Sequence, residues 1–334
     1  MGAGFVAQAL RSLEGKGLAR LVSVTSKREA SASHFASDWG LESWFTNHNE
    51  MFRKAKLDIA IVCTPHYLHF PVALDSIENG LHTLVDKPLA INLAEADTLI
   101  REAKRAGVKL GTILEFRFSE PVRRLRELLK LEGLGKLVLG EAQVEWYRDE
   151  NYYMKSTWRG RRSTEGGGAL INQGIHTLDL LIHLMGDVEE VYAKCGTFAH
   201  SIEVEDLAVS LMRFASGAFG IVTASTAMSP GFPTRLEVHG TKGSATIEGE
   251  KLISRLAGGV EELAAIDKGL QAWARPEAVP PKNHALLIED FVSAVLENRE
   301  PLVNGEEGRR SVELIRAIYA SARRNQVVTL PFSE

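Results

Sequence analysis

A glycine-rich segment near the middle of the chain carries the residues best suited to chemistry. The glycine run 166–168 leads into an apolar helical pattern that contains Asn172, His176 and Asp179. Glycine removes side chains where backbone must approach a ligand closely, and helical spacing of four and three residues puts the three polar residues on one face. An imidazole exchanges protons near neutral pH. The segment therefore predicts an acid–base site beside an open glycine floor.

Other interpretations of this helical face stay open. His176, Asp179 and His183 could together bind a metal ion, but no further cluster of ligands is visible in the sequence, and we predict no metal. A lone histidine on an apolar helix is often structural, and Asp179 could hold local structure. The glycine run and Asn172 favour a catalytic His176, with Asn172 and Asp179 as substrate-binding residues.

The bulk composition narrows the class of protein. A length of 334 residues suits two domains, and 45% hydrophobic with 25% charged residues is typical of a soluble globular protein. The net charge of −4 gives no electrostatic reason to expect nucleic acid or an anionic membrane as a partner. No apolar run approaches the roughly 20 residues that span a bilayer. Only two cysteines occur, which favours a reducing cytoplasm over a disulfide framework.

The first third of the chain alternates short apolar runs with helical patterns. This alternation indicates an α/β fold with a doubly wound parallel sheet, a Rossmann domain, which we assign to residues 1–118. Strands are predicted at 20–25, 57–63, 81–86 and 108–114, and helices at 28–38, 69–79 and 93–106.

From about residue 136 the pattern changes to longer strands joined by hairpin turns. We assign residues 119–334 to an α+β domain with an open, mostly antiparallel sheet, for substrate binding and oligomerisation. Strands are predicted at 137–147, 188–198, 205–214, 217–227, 234–239 and 243–248. Helices are predicted after Gly168 and, beyond a loop at Pro280-Pro281, at about 284–297 and 306–323.

A second glycine pattern opens the chain. Gly2, Gly4 and Ala7 match the G-x-G-x-x-G/A fingerprint of dinucleotide-binding folds. Gly2 would form the tight turn, Gly4 would let backbone approach the pyrophosphate, and the helix N-terminus would stabilise the phosphates. A flexible glycine-bearing terminus is the alternative, but the strand–helix alternation that follows favours a cofactor site at Gly2, Gly4, Phe5 and Val6.

The fingerprint normally follows a strand that is central in a doubly wound sheet. No strand precedes Gly2 in the sequence, and without it both neighbouring strands would keep unpaired backbone groups. We therefore expect the first strand to be missing or truncated and the natural protein to begin roughly 6–10 residues earlier, about one strand length. Mass spectrometry of the protein from its own source would contradict this expectation by finding Met1 at the N-terminus.

The residues after the second strand bear on the choice of cofactor. NAD-preferring folds usually carry an acid there to bind the ribose 2′-hydroxyl, whereas this chain has Ser26, Lys27 and Arg28. These residues could hold a 2′-phosphate, so NAD or NADP is expected with a slight preference for NADP. Two solvated basic residues at a helix start are the alternative interpretation.

Two further motifs end successive strands, Cys63-Thr64-Pro65, with His69 close behind, and Asp86-Lys87-Pro88. Together with the 165–179 segment they resemble the Gfo/Idh/MocA family of oxidoreductases, the glucose–fructose and inositol dehydrogenase type. The resemblance covers nearly the whole chain in consistent order. It implies a Rossmann domain followed by an α/β domain, and hydride transfer between NAD(P) and a carbinol carbon of a sugar, inositol or related compound.

The resemblance also implies residue roles. Lys87 would stabilise negative charge on the reacting oxygen, and the bond to Pro88 would be cis. Many polyol-oxidising members carry aspartate where this chain has Asn172, which cannot act as a base, so the proton chemistry falls to His176. The usual glutamate of the lysine triplet is Asp86 here, one methylene shorter. Residues expected at the cofactor are Thr64, Pro65, His69, Asp86, Lys87, Pro88, Arg117, Trp158 and Arg159.

An aromatic segment at 146–159 completes the predicted site. Aromatic faces suit the apolar face of a pyranose and arginines suit hydroxyls or carboxylates, so Tyr153 and Arg148 are expected to bind substrate. Loop packing or a subunit contact explains these residues equally well.

Two rival functions remain open beside the dehydrogenase. One is a non-catalytic sensor or scaffold that retains the Rossmann fold, and the other is a sugar lyase or hydrolase that uses bound NAD for transient oxidation. An open sheet face would be a large apolar patch unless it were covered. We therefore expect a homodimer or homotetramer that binds a small sugar or polyol.

Overall fold

The structure is a computed structural model that describes residues 2–249, 251–256, 259–263 and 281–334. It contains two compact units. The first comprises residues 2–90, 94–115 and 281–309, and the second comprises 91–93, the described residues between 116 and 280, and 310–334.

This division differs from the predicted boundary at residue 118. Residues 281–309 return to the first unit, where the ring of His284 stacks on Phe5 with centroids 5.7 Å apart. In the same region Lys16 forms an ion pair with Glu289 at 2.7 Å. Contacts between segments so distant in sequence leave no local signal for the boundary.

The helices of the described residues, in chain order, are α1 (Gly2–Glu14), α2 (Glu29–Asp38), α3 (His48–Lys54), α4 (His69–Glu78), α5 (Leu93–Ala106), α6 (Glu120–Lys130), α7 (Glu150–Met154), α8 (Arg162–Glu165), α9 (Ile175–Met185), α10 (Pro281–Leu296) and α11 (Gly305–Arg324). A π-helical turn, Leu170–Gly174, leads directly into α9. None of these described helices combines the length and apolar character that a membrane span requires.

The strands are β1 (Ser23–Thr25), β2 (Ser43–Phe45), β3 (Ile59–Val62), β4 (His82–Asp86), β5 (Leu110–Ile113), β6 (Leu137–Glu145), β7 (Val188–Gly196), β8 (Leu207–Phe214), β9 (Phe219–Ser225), β10 (Arg235–Gly240), β11 (Gly243–Glu248), β12 (Lys251–Leu256), β13 (Gly259–Leu263) and β14 (Val328–Thr329).

The strands of the first unit run parallel but belong to two separate sheets. β1 pairs with β2, and β3, β4 and β5 form a three-stranded sheet in that order. Apolar side chains of β3, β4 and the helices α3, α4 and α5 form a shared core. The predicted doubly wound topology is therefore present, with a break between β1 and β3.

The second unit is built on a nine-stranded sheet in the order β13-β12-β11-β10-β6-β9-β8-β7-β14. All neighbouring pairs are antiparallel except β6 and β9, so the predicted mostly antiparallel sheet is confirmed. One face is buried by the π turn and α9, since a Cβ on Gly174 would lie 2.9 Å from Ala224. The opposite face exposes apolar side chains, among them Val209, Leu211 and Phe219.

Every predicted strand and helix is present, with ends that differ by at most three residues. The prediction missed the short elements β2, α3, α7, α8 and β14, and also α6, β12 and β13. Three-residue strands such as β2 are too brief to show a periodicity. Pro281 begins α10, where the missing N–H of proline costs nothing, and Pro280 lies outside the described residues.

Candidate active-site residues

In the first unit, two predicted motifs follow adjacent parallel strands. Thr64 and Pro65 come after β3, while Asp86 ends β4 and Lys87 and Pro88 follow it. Ligands of open α/β sheets bind outside the carboxyl ends of the strands, so this edge is where the fold would hold a dinucleotide. Asp86 Oδ1 accepts the backbone N–H of Lys87 at 2.8 Å, and the Lys87–Pro88 bond is cis.

His69 holds these two loops together. It is 1% exposed, with Nε2 2.8 Å from the carbonyl oxygen of Thr64 and Nδ1 2.7 Å from that of Pro88. Burial lowers the pKa of His69, against the opposing effects of Asp86 and of the two carbonyl oxygens. Both ring nitrogens thus contact backbone carbonyls, and the cofactor contact of His69 stays a prediction.

The glycine fingerprint lies inside α1, because Gly2 begins the helix instead of forming the expected tight turn. A Cβ on Gly4 would meet no atom within 4 Å. Space therefore remains near a helix N-terminus, whose backbone N–H groups attract anions. The side chains of Phe5 and Val6 are used elsewhere, since Phe5 stacks on His284 and Val6 is 7% exposed. Phe5 stays partly exposed whereas Val6 is buried, and both remain predicted at the cofactor.

Thr64 provides an observation that fits a bound cofactor at this edge. Its Oγ1 is buried and has no hydrogen-bond partner among the described residues, although buried polar atoms normally have one. A hydroxyl or amide of a ligand would satisfy it. After β1, Lys27 and Arg28 are exposed and Ser26 is half-buried, so both cations remain in solvent at the predicted selectivity position.

In the second unit, the glycine run 166–168 packs against the protein's own chain. A Cβ on Gly167 would lie 2.1 Å from the hydroxyl oxygen of Tyr319, and one on Gly168 would lie 1.9 Å from the carbonyl oxygen of Glu205. The Glu205 carboxylate accepts the N–H of Gly168 at 2.9 Å and the hydroxyl of Tyr319 at 2.8 Å. The prediction of an open glycine floor is wrong, because these glycines allow close internal packing.

Asn172 lies in the π-helical turn and not in the regular helix that the sequence predicts. The wider turn interrupts α-helical spacing between Asn172 and His176, and such turns are frequent at functional sites. Asn172 Nδ2 donates to Oε1 of Glu165 at 2.6 Å. The hydroxyl of Tyr152 accepts Nδ2 of Asn172 at 3.4 Å and Nε2 of Gln173 at 2.9 Å. We call Tyr152, Glu165, Asn172 and Gln173 the Asn172 cluster.

Glu165 is a functional candidate that the sequence analysis missed. It is 1% exposed, and burial raises its pKa to about 7 against the opposing effects of the Gly160 N–H, at 2.5 Å, and the Asn172 amide. A carboxyl group with a pKa near neutrality can exchange protons under physiological conditions. The only signal was an acid directly before Gly166, and glutamate is usually a surface residue.

Tyr152, and not its neighbour Tyr153, joins the cluster. Tyr153 is 5% exposed, and its hydroxyl hydrogen-bonds to Thr226 Oγ1 at 2.8 Å. The polar end of Tyr153 is thus engaged inside the protein, and its substrate role stays a prediction. Both residues lie in α7, where successive side chains point in different directions.

Two arginines place positive charge over Tyr152. The guanidinium carbon of Arg159 is 4.5 Å from the Tyr152 ring centroid, and that of Arg148 is 5.7 Å away. Arg159 also lies 4.8 Å from the ring of Trp158. Arg148 is buried, with Nη1 donating to the carbonyl of Tyr147 at 2.8 Å. Cations over aromatic faces beside a polar cluster suit a ligand with hydroxyl or carboxylate groups.

Asp179 and Arg117 bind each other. Nε and Nη2 of Arg117 donate to the two carboxylate oxygens of Asp179, each at 2.7 Å, and the hydroxyl of Ser311 adds a third bond at 2.7 Å. Both charged residues are buried. This bidentate pair engages both carboxylate oxygens of Asp179 and two nitrogens of Arg117. The roles of Asp179 in substrate binding and of Arg117 in cofactor binding stay predictions.

His176 lies near the start of α9 and is half-buried. Its ring centroid is 4.9 Å from that of Phe116, which packs beside it. The residue is partly exposed, whereas Asp179 on the same helix is 1% exposed, and the Nδ1 atom of His176 is buried. Of the polar residues predicted on this face, His176 therefore keeps the properties that proton transfer requires.

The buried Glu165 makes the stability of the second unit depend on pH. Its folded pKa of about 7 exceeds the ordinary value of 4.5. Below pH 4.5 the protonated carboxyl group contributes its full stabilisation. This contribution is lost as the pH rises from 4.5 to 7, which lowers the free energy of unfolding by about 3 kcal/mol in total. We expect Glu165→Gln to remove this decline in the free energy of unfolding, measured by denaturant titration with tryptophan fluorescence. Glu150→Gln, an exposed control in α7, should retain it. Parallel pH profiles for all three proteins would contradict the assignment.

A Rossmann unit with two motifs at the carboxyl ends of parallel strands, and a second unit carrying a histidine and a polar cluster, define a nucleotide-dependent oxidoreductase. Residues 1–113 match the oxidoreductase family with an NAD-binding Rossmann fold, and residues 122–246 match the GFO/IDH/MocA C-terminal domain. The chain belongs to the Gfo/Idh/MocA family.

Several named proteins are similar to this chain. Myo-inositol 2-dehydrogenase of Thermotoga maritima is 26% identical, over 93% of this chain and 91% of that protein. Oxidoreductase P35 of Formosa agariphila is 30% identical, but the match covers 51% of this chain and only 54% of that relative. The WlbA dehydrogenase of Bordetella pertussis, solved with NADH and UDP-GlcNAcA, superposes with a TM-score of 0.81 at 26% identity, covering 94% and 91% of the two chains.

Proposed function

We propose that this protein is an NAD(P)-dependent dehydrogenase or reductase that acts on a secondary carbinol carbon of a sugar, sugar derivative or polyol. The observation that carries the proposal is the position of Lys87 directly after β4, at the edge of the parallel sheet where dinucleotide folds bind their cofactors. The unsatisfied Thr64 Oγ1 and the open space at Gly4 support a cofactor there. The named activities of the similar proteins support the substrate class.

In this proposal two side chains carry the chemistry. When bound, the nicotinamide supplies the carbon that accepts or gives the hydride. Lys87 donates a hydrogen bond to the reacting oxygen and stabilises its developing negative charge. His176 takes the hydroxyl proton in oxidation and returns it in reduction. Asn172, held by Glu165, orients the substrate through hydrogen bonds.

The choice between NAD and NADP depends on the residues after β1. Exposed Lys27 and Arg28 favour a 2′-phosphate, since no carboxylate precedes them in the loop. The related WlbA structure contains NADH. We propose that the protein slightly prefers NADP. Measuring kcat/KM with NAD and with NADP tests this preference.

Assembly and location complete the proposal. The outer face of the nine-stranded sheet exposes Val209, Leu211 and Phe219, the last with 55% of its surface in solvent. Clustered apolar side chains of this kind mark association surfaces, so we propose a homodimer or homotetramer that forms through this face.

Both cysteines are free thiols, which supports a cytoplasmic location.

A substrate panel tests the proposed function. The protein is mixed with sugars, sugar acids and inositols, each with NAD and with NADP, while reduced nicotinamide is followed by absorbance. Net reduction of a cofactor with at least one substrate is expected. Product formation without net reduction would instead identify a lyase or hydrolase, and binding without turnover would identify a sensor.

A further inference from the structure

A pocket of about 400 Å³ opens on the second unit, and every described residue that lines it belongs to that unit. Its volume lies in the range of small-molecule sites, roughly 300–1,000 Å³. None of its described lining residues is His176 or a member of the Asn172 cluster. The pocket is therefore separate from the candidate active-site residues of this unit. We call it the arginine pocket, after the residues described next.

Three arginines line the pocket. Arg162 lies in α8, while Arg316 and Arg323 are seven residues apart on α11, which places them on one face two helical turns apart. Nη2 of Arg162 donates to the carbonyl oxygen of Glu203 at 3.3 Å, and Nη1 of Arg316 donates to that of Gly166 at 3.4 Å. Both acceptor residues line the pocket, so these two guanidinium groups lie at its wall.

The positive charge of these arginines is only partly neutralised. Arg316 forms an ion pair with Glu334. Arg162 and Arg323 are both exposed, and neither forms an ion pair with a residue that the structure describes. The carboxylate of Glu203 instead accepts the backbone N–H of Arg162 at 3.1 Å. Guanidinium groups without a carboxylate partner remain available to an anion that enters the pocket.

The second acid of the lining, Glu205, is engaged with the protein. It is 8% exposed, and its carboxylate accepts the N–H groups of Gly168 at 2.9 Å and Leu170 at 3.0 Å and the hydroxyl of Tyr319 at 2.8 Å. Burial raises the pKa of Glu205, so a smaller fraction of this group is charged than of an exposed glutamate at the same pH. Positive charge therefore prevails around the pocket.

The remaining lining combines polar and apolar side chains. Asn92 supplies an amide, and Thr197 supplies a hydroxyl that donates to the carbonyl of Val204 at 2.7 Å and can still accept a hydrogen bond. Ile91 and Val204 add apolar surface. Pockets that combine apolar walls with a few polar groups suit organic molecules. A carbon skeleton with polar substituents thus fits this lining better than a bare ion does.

We propose that the arginine pocket binds a small organic anion, a carboxylate or phosphate carried on a polar carbon skeleton. Guanidinium groups bind both kinds of oxyanion through charge-assisted N–H bonds, so the lining recognises their shared chemistry. Three probes separate the possible sources. Citrate carries carboxylates, glucose 6-phosphate carries a phosphate, and glucose is the uncharged comparison.

Two double variants separate the pocket from the general charge of the protein. Arg162→Gln/Arg323→Gln removes the two lining arginines that have no described ion-pair partner. Arg161→Gln/Arg324→Gln removes two exposed arginines that each lie one residue away and do not line the pocket, so the net charge of the two variants is the same. Each probe is titrated calorimetrically into the wild type and both variants, and Tm shows that all three proteins are folded.

Cys195 lines the pocket and reports where a probe binds. Its rate of alkylation by iodoacetamide is compared, by mass spectrometry, with that of Cys63 in the first unit. Burial raises the pKa of Cys195 to about 12, so alkylation is slow and long labelling times are used. At about ten times its dissociation constant an anion leaves roughly one pocket in eleven open, so the Cys195 rate should fall about tenfold.

We expect citrate or glucose 6-phosphate to bind the wild type with a dissociation constant below about 1 mM and to slow alkylation of Cys195 but not of Cys63. Arg162→Gln/Arg323→Gln should bind that anion at least about tenfold more weakly, as loss of charge-assisted hydrogen bonds predicts. Arg161→Gln/Arg324→Gln should bind it as the wild type does, and glucose should bind more weakly than the anion.

Four results would overturn the proposal. They are no binding of either anion, equal affinity of the anion for the two double variants, an unchanged Cys195 rate, and glucose binding as tight as that of the anion. The second and third results would show that the anion binds elsewhere, and the last would show that charge does not determine binding. These readouts do not involve catalysis, so they are independent of the proposed function.

Discussion

Replacing His176 with alanine is expected to lower kcat at least about a hundredfold with the substrate found in the panel, the lower range for general acid–base catalysis. The carbinol proton must leave as the hydride leaves, and no other residue is proposed to accept it. Asn172 cannot act as a base, and Asp179 is occupied by Arg117 and Ser311. Steady-state kinetics over a range of pH measure the effect. We expect kcat of the wild-type protein to depend on the ionisation of a base, and kcat of His176→Ala to lose that dependence.

A matched control separates proton transfer from helix packing. His183 lies on the same helix and is also half-buried, so His183→Ala removes a similar side chain from α9. It should keep kcat within a few-fold of wild type. A cofactor dissociation constant that is unchanged in both variants would show that the first unit is intact. Near-normal turnover of His176→Ala would remove His176 from the mechanism.

Local patterns predicted the parts of this protein that depend on neighbouring residues. Strand and helix periodicities predicted β3, β4 and α4, because each element shows its buried face within its own sequence. The Lys87 motif was recognisable for the same reason, since three consecutive residues follow a strand. The break between β1 and β3 agrees with the expectation that these two strands do not pair with each other.

The errors arose where a residue's role depends on a distant partner. Glycines at 167 and 168 are required by Tyr319 and Glu205, and nothing local distinguishes a glycine that faces a ligand from one that faces the protein. Asp179 likewise pairs with a residue 62 positions earlier. The sequence around Asp179 therefore does not distinguish a functional role of this residue from a structural one.

The π-helical turn explains the remaining differences in the candidate site. One wide turn at Leu170–Gly174 changes the register before α9, so helical spacing does not describe Asn172. Its amide contacts Glu165, a residue outside the helix whose burial could not be read from its type. The cluster of these two residues with Tyr152 was thus visible only in three dimensions.

Replacing Lys87 with methionine is expected to lower kcat by at least about a hundredfold as well. Methionine keeps the length and apolar stem of lysine but cannot donate a hydrogen bond or carry charge. Stabilisation of the developing oxyanion is needed mainly in the transition state, so kcat should fall far more than KM rises. The fold should survive, since the Asp86 carboxylate contacts the backbone N–H of residue 87, which the substitution retains.

The control for Lys87 is Lys104→Met, which removes an exposed lysine from α5 in the same unit. It leaves the protein with the same net charge as Lys87→Met, so a general electrostatic effect on cofactor binding would appear equally in both. If only Lys87→Met loses turnover while both bind the cofactor as wild type does, the lysine acts at the reacting oxygen. A Lys87→Met enzyme that turns over normally, or one that only fails to bind cofactor, would refute that role, and the second result would assign Lys87 to cofactor binding.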